Sequence, residues 1–224
     1  AEYGQQRDMI SAYALWVRDL AGQGDAAKAV ALYRSHPDKL TVDTLAWLWT
    51  ATHDSTIGKE IERTLNNRVV ETAGAANFTT DYGDSAYLVM HSDRRTDGIV
   101  LDALIANAPN SDLIPKVVTG LLANKVKGRW DNVQENSFIL LALRSYFDKF
   151  EAQTPDFVAK VWLGQQFAGE HTFQGRQTDR SNITIPTADM IDAGNSDLVL
   201  SKDGTGRLYY RIGVTYAPAD LHLD

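Results

Sequence analysis

Four carboxylates crowd one irregular stretch of this chain: Asp81 and Asp84 in "DYGD", with Asp93 and Asp97 close behind. Paired carboxyl groups at a suitable separation perform general acid and base work on glycosidic bonds, so these four are the chemistry-bearing residues to weigh first. Acidic residues in loops also cap helices and close turns, and spacing along the chain does not set a distance in space. The five histidines, His36, His53, His91, His171 and His222, lie far apart, and no two share a ligand spacing. The Gly204-Thr205-Gly206 pair sits in a turn pattern rather than between a strand and a helix, so it is not a phosphate cradle. No catalytic, cofactor-binding or metal-binding residue is assigned, and no cofactor is expected.

Other motifs are thin. Trp16, Trp47, Trp49, Trp130 and Trp162 could form a carbohydrate platform, but most fall in amphipathic segments, which favours core packing. Asn77-Phe78-Thr79 and Asn182-Ile183-Thr184 match the glycosylation sequon. There is no cysteine, which removes disulfides, thiolate ligands and cysteine nucleophiles. The formal charge of −7 argues against a nucleic-acid surface, because counterion release needs clustered Lys and Arg. No apolar run reaches the length of a membrane span. The chain starts at Ala1 with a helix almost at once, so a piece of a longer polypeptide is expected.

These side chains must be held by a helical first part. Met9, Ile10, Tyr13, Trp16, Val17 and Leu20 recur at helical spacing, Ala26 to Ser35 form a short second helix, and further helices carry Leu45/Leu48/Trp49 and Ile57/Ile61/Leu65. Short connections imply stacked helical hairpins. Residues 75–98 interrupt the pattern, with Ala86 to Met90 a short strand or a turn of helix. Helices resume at Ile99–Ala106 and again after Ser111, the expected cap, with Pro115 in the first turn. After Gly128, Asp131 or Asn132 caps a helix in which Phe138 to Leu143 are all apolar, which predicts burial on both sides.

Past Thr154-Pro155 the period becomes two. Phe157, Ala159, Val161 and Leu163 predict a strand, as do Ile183 and Ile185. Leu208, Tyr210, Ile212, Val214 and Tyr216 form the clearest one, joined to Leu198–Lys202 by a hairpin through Asp203–Gly206. The expected fold class is α+β: residues 1–154 a helical-hairpin array, residues 155–224 an antiparallel β domain.

The segment "GRWDNVQENSFILLALRSYF" carries W-x-x-x-Q-E-N and then L-x-A-L-x-x-Y, on Trp130, Gln134, Glu135, Asn136, Leu140, Ala142, Leu143 and Tyr146. It resembles the late helix of the thioester domain in the α2-macroglobulin and complement family. "YGDSAYLVMHSDRRTDGIVLDALI", "SDLIPKVVTGLL", "TPDFVAKVWLGQQFAGEHTFQGR" and "KDGTGRLYYRIGVTYAPADL" are similar to the rest of that domain and the β segment after it in large bacterial members.

The resemblance implies part of an α/α toroid followed by the returning half of a CUB-like β domain. It implies a non-enzymatic piece of an endopeptidase inhibitor that entraps proteases after bait cleavage. The implied location is outside the cytoplasm, in the periplasm or cell envelope of a bacterium. Partners would be target proteases met by the whole protein and its neighbouring macroglobulin domains, with no nucleic acid. The family's Cys-x-x-Gln thioester has no counterpart here, and some members lack it altogether. Two other readings stand beside this one: a toroid enzyme working on glycans through Asp81 and Asp84, and an interaction module that self-associates through an exposed sheet edge.

Overall fold

The structure is a computed structural model that describes residues 4–72, 74–176 and 180–215, the side chains of Asp84 and Ser85 excepted. These residues form an α+β chain of two compact units, one ending at Lys149 and the other beginning at Phe150.

In the first unit, α1 (Gly4–Leu20), α2 (Ala26–Ser35), α3 (Val42–Ala51) and α4 (Ser55–Arg68) lead to a small hairpin, β1 (Val70–Thr72) with β2 (Ala75–Asn77). A 3-10 turn over Gly83–Val89 precedes α5 (Asp93–Asn107), α6 (Leu113–Ala123) and α7 (Val133–Tyr146). Side-chain caps set several of the starts. Asp25 accepts from the Lys28 amide at 3.1 Å, Asp54 from Thr56 and Ile57 at 2.9 and 3.1 Å, and Ser92 from Arg95 at 3.1 Å. Each satisfies amide donors that a helix start leaves unpaired. Ahead of α6, Ser111 Oγ accepts the Leu113 amide at 3.3 Å.

Alternate helices are the neighbours. Helix α1 packs on α3, α3 on α5 and α5 on α7, while α2, α4 and α6 make the return passes. This is a stack of helical hairpins, and its inner members are the most buried. Val42 to Trp49 and Ala51 of α3 are all buried, as are Arg95 to Leu101 and Ala103 to Ile105 of α5. Gly98 marks the closest approach of α5 to α7: a Cβ there would lie 2.9 Å from the Ile139 amide nitrogen and 3.1 Å from its Cα. Gly120 does the same for α6, where a Cβ would stand 2.6 Å from the Ala76 carbonyl oxygen.

Two expectations about this unit change. Helix α5 begins at Asp93, six residues before Ile99, because Ser92 caps it and the charged residues of its first turns face inward to partners. Helix α7 is not buried all round. It buries Glu135, Ile139, Ala142 and Tyr146, a single stripe, and leaves Leu140 58% and Leu141 53% exposed.

The second unit centres on β3 (Asp156–Leu163), flanked antiparallel by β4 (Gln166–Gln174) and β5 (Leu198–Thr205) in the order β4-β3-β5. Phe157 faces Phe173 on one side and Gly204 on the other, and the two phenyl rings stack at 4.9 Å. A short helix, α8 (Thr187–Asp192), lies between β4 and β5 in sequence. Ile183 and Ile185 belong to no strand here, nor do residues 207–215, while Tyr216 lies outside the described residues. The expected hairpin through Asp203–Gly206 therefore does not close. Arg207 instead lies over the Phe150 ring at 4.3 Å and the Tyr209 hydroxyl donates to Glu151. The place beside Leu198–Lys202 goes to β3, while β4 reaches the other side of β3 through the tight turn at Gly164, where φ is +58°. Its Gln, Gly, Glu and His residues dilute the alternation that would have announced it.

Candidate functional site

The densest polar arrangement in the described residues is buried and gathers around Asp43. One oxygen, Oδ1, accepts from the Thr41 hydroxyl at 2.7 Å, the Thr44 amide at 3.0 Å and the Tyr82 phenol at 2.7 Å. The other, Oδ2, receives Arg95 Nη1 at 3.2 Å. Thr44 Oγ1 lies 2.6 Å from Thr41 Oγ1, which has already given its hydrogen to Asp43, so Thr44 donates there. The Arg95 guanidinium lies over both the Trp47 and Phe138 rings, 5.4 and 5.3 Å from centroids that are themselves 5.9 Å apart. Tyr13 and Trp16 extend that aromatic group, with centroids 5.0 Å (Tyr13) and 6.3 Å (Trp16) from Trp47. Helices α3 and α5 and the segment around Tyr82 thus meet at one carboxylate, and α7 joins through Phe138 on Arg95.

Burial, and then the Asp43 charge, push the Tyr82 phenol well above its ordinary range. It stays protonated and donates, which holds the 78–91 segment against α3. This carboxylate is fully buried under four donors and is closed to a substrate proton. The arrangement positions elements and does not perform acid–base chemistry. The sequence signal for it was present: Asp43 stands alone among Leu40, Val42, Leu45 and Ala46, and a charge in a buried run requires partners.

Among the loop carboxylates whose side chains are described, Asp81, Asp93 and Asp97 are each held by a different backbone amide. Asp81 accepts the Gly83 amide at 2.6 Å, a turn. Asp93 begins α5, accepts the Thr80 amide at 3.3 Å and lies 3.7 Å from His91 Nε2. Asp97 is fully buried. Its Oδ1 accepts the Phe78 amide at 2.6 Å, and Arg94 Nη2 lies 3.2 Å from its Oδ2, within ion-pair range but not aligned to hydrogen-bond. Burial raises the Asp97 carboxyl to about 7, against the lowering effects of Arg94 and the Phe78 amide. The side chain of Asp84 falls outside the described residues.

The histidines are dispersed. His36 Nε2 lies 2.6 Å from Asp8 and His53 Nε2 2.7 Å from Asp19, so two pairs pin one face of α1, since eleven residues make three helical turns. His91 packs edge-on to Tyr82 at 4.9 Å and His171 edge-on to Phe173 at 4.7 Å, while His222 lies outside the described residues. Among the described residues no three His, Asp or Glu side chains gather to hold a metal ion. Ser35 Oγ stands 2.7 Å from His36 Nδ1, a string that imitates a hydrolase relay. The serine hydroxyl, however, donates to the Leu32 carbonyl at 2.7 Å, closing the last turn of α2. An open cleft of about 520 Å³ passes this pair and is also lined by Lys39, Thr41, Arg68 and Thr80.

The tryptophan and amide motif before α7 is a helix start. Asn132 accepts the Glu135 amide at 3.0 Å and Glu135 Oε2 accepts the Asp131 amide at 2.8 Å, a reciprocal cap. Asn136 exchanges bonds with the Trp130 backbone at 3.3 and 2.9 Å, and Trp130 Nε1 donates to the Leu121 carbonyl at 2.9 Å. Trp130 is the plug that seats α7 against the end of α6.

No family model matches the chain. "Circularly permutated Ras protein 2" of Dictyostelium discoideum is 25% identical over 260 aligned positions, which cover 88% of this chain and 7% of that protein. An "Alpha-2-macroglobulin homolog" of Nostoc sp. is 30% identical over 127 positions, 57% of this chain and again 7% of the relative. The crystal structure of trypsin-activated α2-macroglobulin from Escherichia coli superposes with a TM-score of 0.52 at 18% identity, over 79% of this chain and 11% of that one. The chain is thus similar to α2-macroglobulin proteins, in sequence to the Nostoc relative and in fold to the Escherichia coli one. The α2-macroglobulin fold accounts for the hairpin stack and the small antiparallel sheet together. The chain spans 7% of the length of both curated relatives, whose names describe the whole proteins. None of its described helices is long and apolar enough to cross a membrane.

Proposed function

We propose that this chain is part of a bacterial α2-macroglobulin-like endopeptidase inhibitor, and that within it the chain is structural rather than catalytic. Residues 1–154 act as an arc of the α/α toroid and residues 155–224 as a half of the CUB-like β domain. The observation that carries the reading is the open stack. Its inner helices α3 and α5 are buried, whereas α1 exposes Ile10, Tyr13, Val17 and Leu20 on one stripe and α7 exposes Val133, Leu140 and Leu141. An array with apolar stripes on both terminal helices is an arc that further hairpins extend at each end.

In the whole inhibitor, bait cleavage releases a rearrangement that closes around the protease, and the Asp43–Tyr82–Arg95 tether keeps this arc rigid while it moves. With no cysteine, none of these residues supplies a thioester thiol. The target proteases and neighbouring macroglobulin domains are its partners, outside the cytoplasm in the periplasm or cell envelope. By itself the chain inhibits nothing. Incubation with several endopeptidases at equimolar and tenfold excess should leave proteolysis unchanged, and stoichiometric inhibition by the chain alone would refute the assignment.

A further inference from the structure

Asp102 lies half-buried on α5 and, among the described residues, accepts one hydrogen bond, from the Ser145 hydroxyl at 2.9 Å. No neighbouring charge in those residues acts on it: burial raises its carboxyl, and only the Ser145 bond works the other way. A carboxylate partly withdrawn from water with no cation beside it is costly to keep charged.

Space for the missing charge is present. Asp102 and Gly98 of α5 share a small pocket with Trp16 of α1, Trp47 of α3, and Phe138 and Leu141 of α7. Its volume is about 10 Å³, room for one water-sized group. The Trp16 and Trp47 ring centroids stand 6.3 Å apart, and those of Trp47 and Phe138 5.9 Å. Three aromatic rings around one carboxylate suit a cation, because ring faces carry negative potential.

We propose that this pocket binds the ammonium group of a lysine side chain presented by a partner polypeptide. The ammonium is a compact point charge with three donors, whereas a guanidinium or a trimethylammonium overfills the space. An anion would be repelled by Asp102, and a neutral apolar group would bury that carboxylate further without a partner. Leu141 at the pocket and Tyr13 beside Trp16 are exposed, and they offer apolar surface to the four-carbon stem of the lysine. Arg95 also lies over Trp47 and Phe138, but it is buried and Asp43 holds its charge at 3.2 Å, so Asp102 sets the charge of the pocket. Four helices supply the walls, so the site exists only in the assembled stack. It stands on this geometry and survives if the inhibitor reading fails.

Nuclear magnetic resonance titration of the whole chain with a short peptide carrying one central lysine, up to about 50 mM, tests it. Saturable shifts appear at the Trp16 and Trp47 indole N–H groups and at the amides of residues 98–102 and 138–141. Peptides with norleucine, arginine or trimethyl-lysine in place of the lysine leave those signals unmoved. Asp102→Asn keeps an oxygen for the Ser145 hydroxyl, and an unchanged spectrum elsewhere shows that it folds; its affinity for the lysine peptide falls about tenfold or more. Trp16→Leu keeps the carboxylate and weakens binding about threefold, the loss of one ring face. No saturable shift with the lysine peptide overturns the proposal, as does equal binding of the norleucine or arginine peptide, or an Asp102→Asn variant that binds like the wild type.

Discussion

Tyr82 donates its phenolic hydrogen to Asp43 at 2.7 Å, joining residues 39 apart in sequence and tying an irregular segment to the most buried helix of the stack. Tyr82→Phe removes only the hydroxyl. The loss leaves one oxygen of Asp43 short of a donor, so stability falls by about 1–3 kcal/mol. Asp43→Ala costs more, about 3–5 kcal/mol, because the Arg95 charge then stays buried among Trp47 and Phe138 without its carboxylate. Urea titration of the two variants checks both the values and their order.

What was readable in advance follows from how local each cause is. Helices α1 to α4 and strand β3 announce themselves because their apolar periodicity and caps lie within a few residues of one another. The start of α5 was hidden, since Arg94, Arg95 and Asp97 carry no apolar periodicity and their partners Asn77, Asp43 and Phe78 come from afar in sequence. Residues 207–215 fail for the opposite reason. Their alternation is genuine, but a strand exists only where a neighbour accepts its hydrogen bonds. The loop carboxylates were legible as a group, but what Asp81 and Asp93 do was not: Asp81 takes the Gly83 amide within its own turn and Asp93 takes the Thr80 amide from thirteen residues back.

Asp97 gives a pH dependence. Its folded carboxyl is raised to about 7 from an ordinary 3.8, so between those values the folded state holds a proton that the unfolded chain has released. Stability from this group is therefore full below about 3.8 and declines as pH rises toward 7, at up to about 1.4 kcal/mol per unit. Asp97→Asn keeps an oxygen for the Phe78 amide and removes the titration. The difference in melting temperature between variant and wild type should shift in favour of the variant across that window, then stay level above it. A difference independent of pH contradicts the assignment.

Gly98→Ala places a methyl carbon where the Ile139 backbone already lies, at 2.9 Å. The gain in helix propensity is outweighed by the separation forced on α5 and α7, and stability drops by about 1–3 kcal/mol. Gly22→Ala makes a useful contrast: its added carbon meets nothing within 4 Å, and the cost there comes from φ +71° alone. Thermal unfolding of the two variants separates a packing clash from a backbone one.

Asn132→Ala removes the cap that α7 draws from its own start, exposing the Glu135 amide, and costs about 1 kcal/mol. Trp130→Phe keeps most of the plug but loses the bond to the Leu121 carbonyl, with a loss of about 1–2 kcal/mol. Denaturant titration followed by tryptophan fluorescence registers both, and the Trp130 variant also reports how much of the signal arises there.

The proposed role of this chain, a rigid arc in a protease-entrapping inhibitor, has a direct test. The polypeptide that contains it, mixed with an equimolar endopeptidase, should abolish cleavage of a large protein substrate while cleavage of a small peptide substrate continues, because an enclosed protease excludes only large molecules. Equal loss of both activities, or no loss of either, would contradict it.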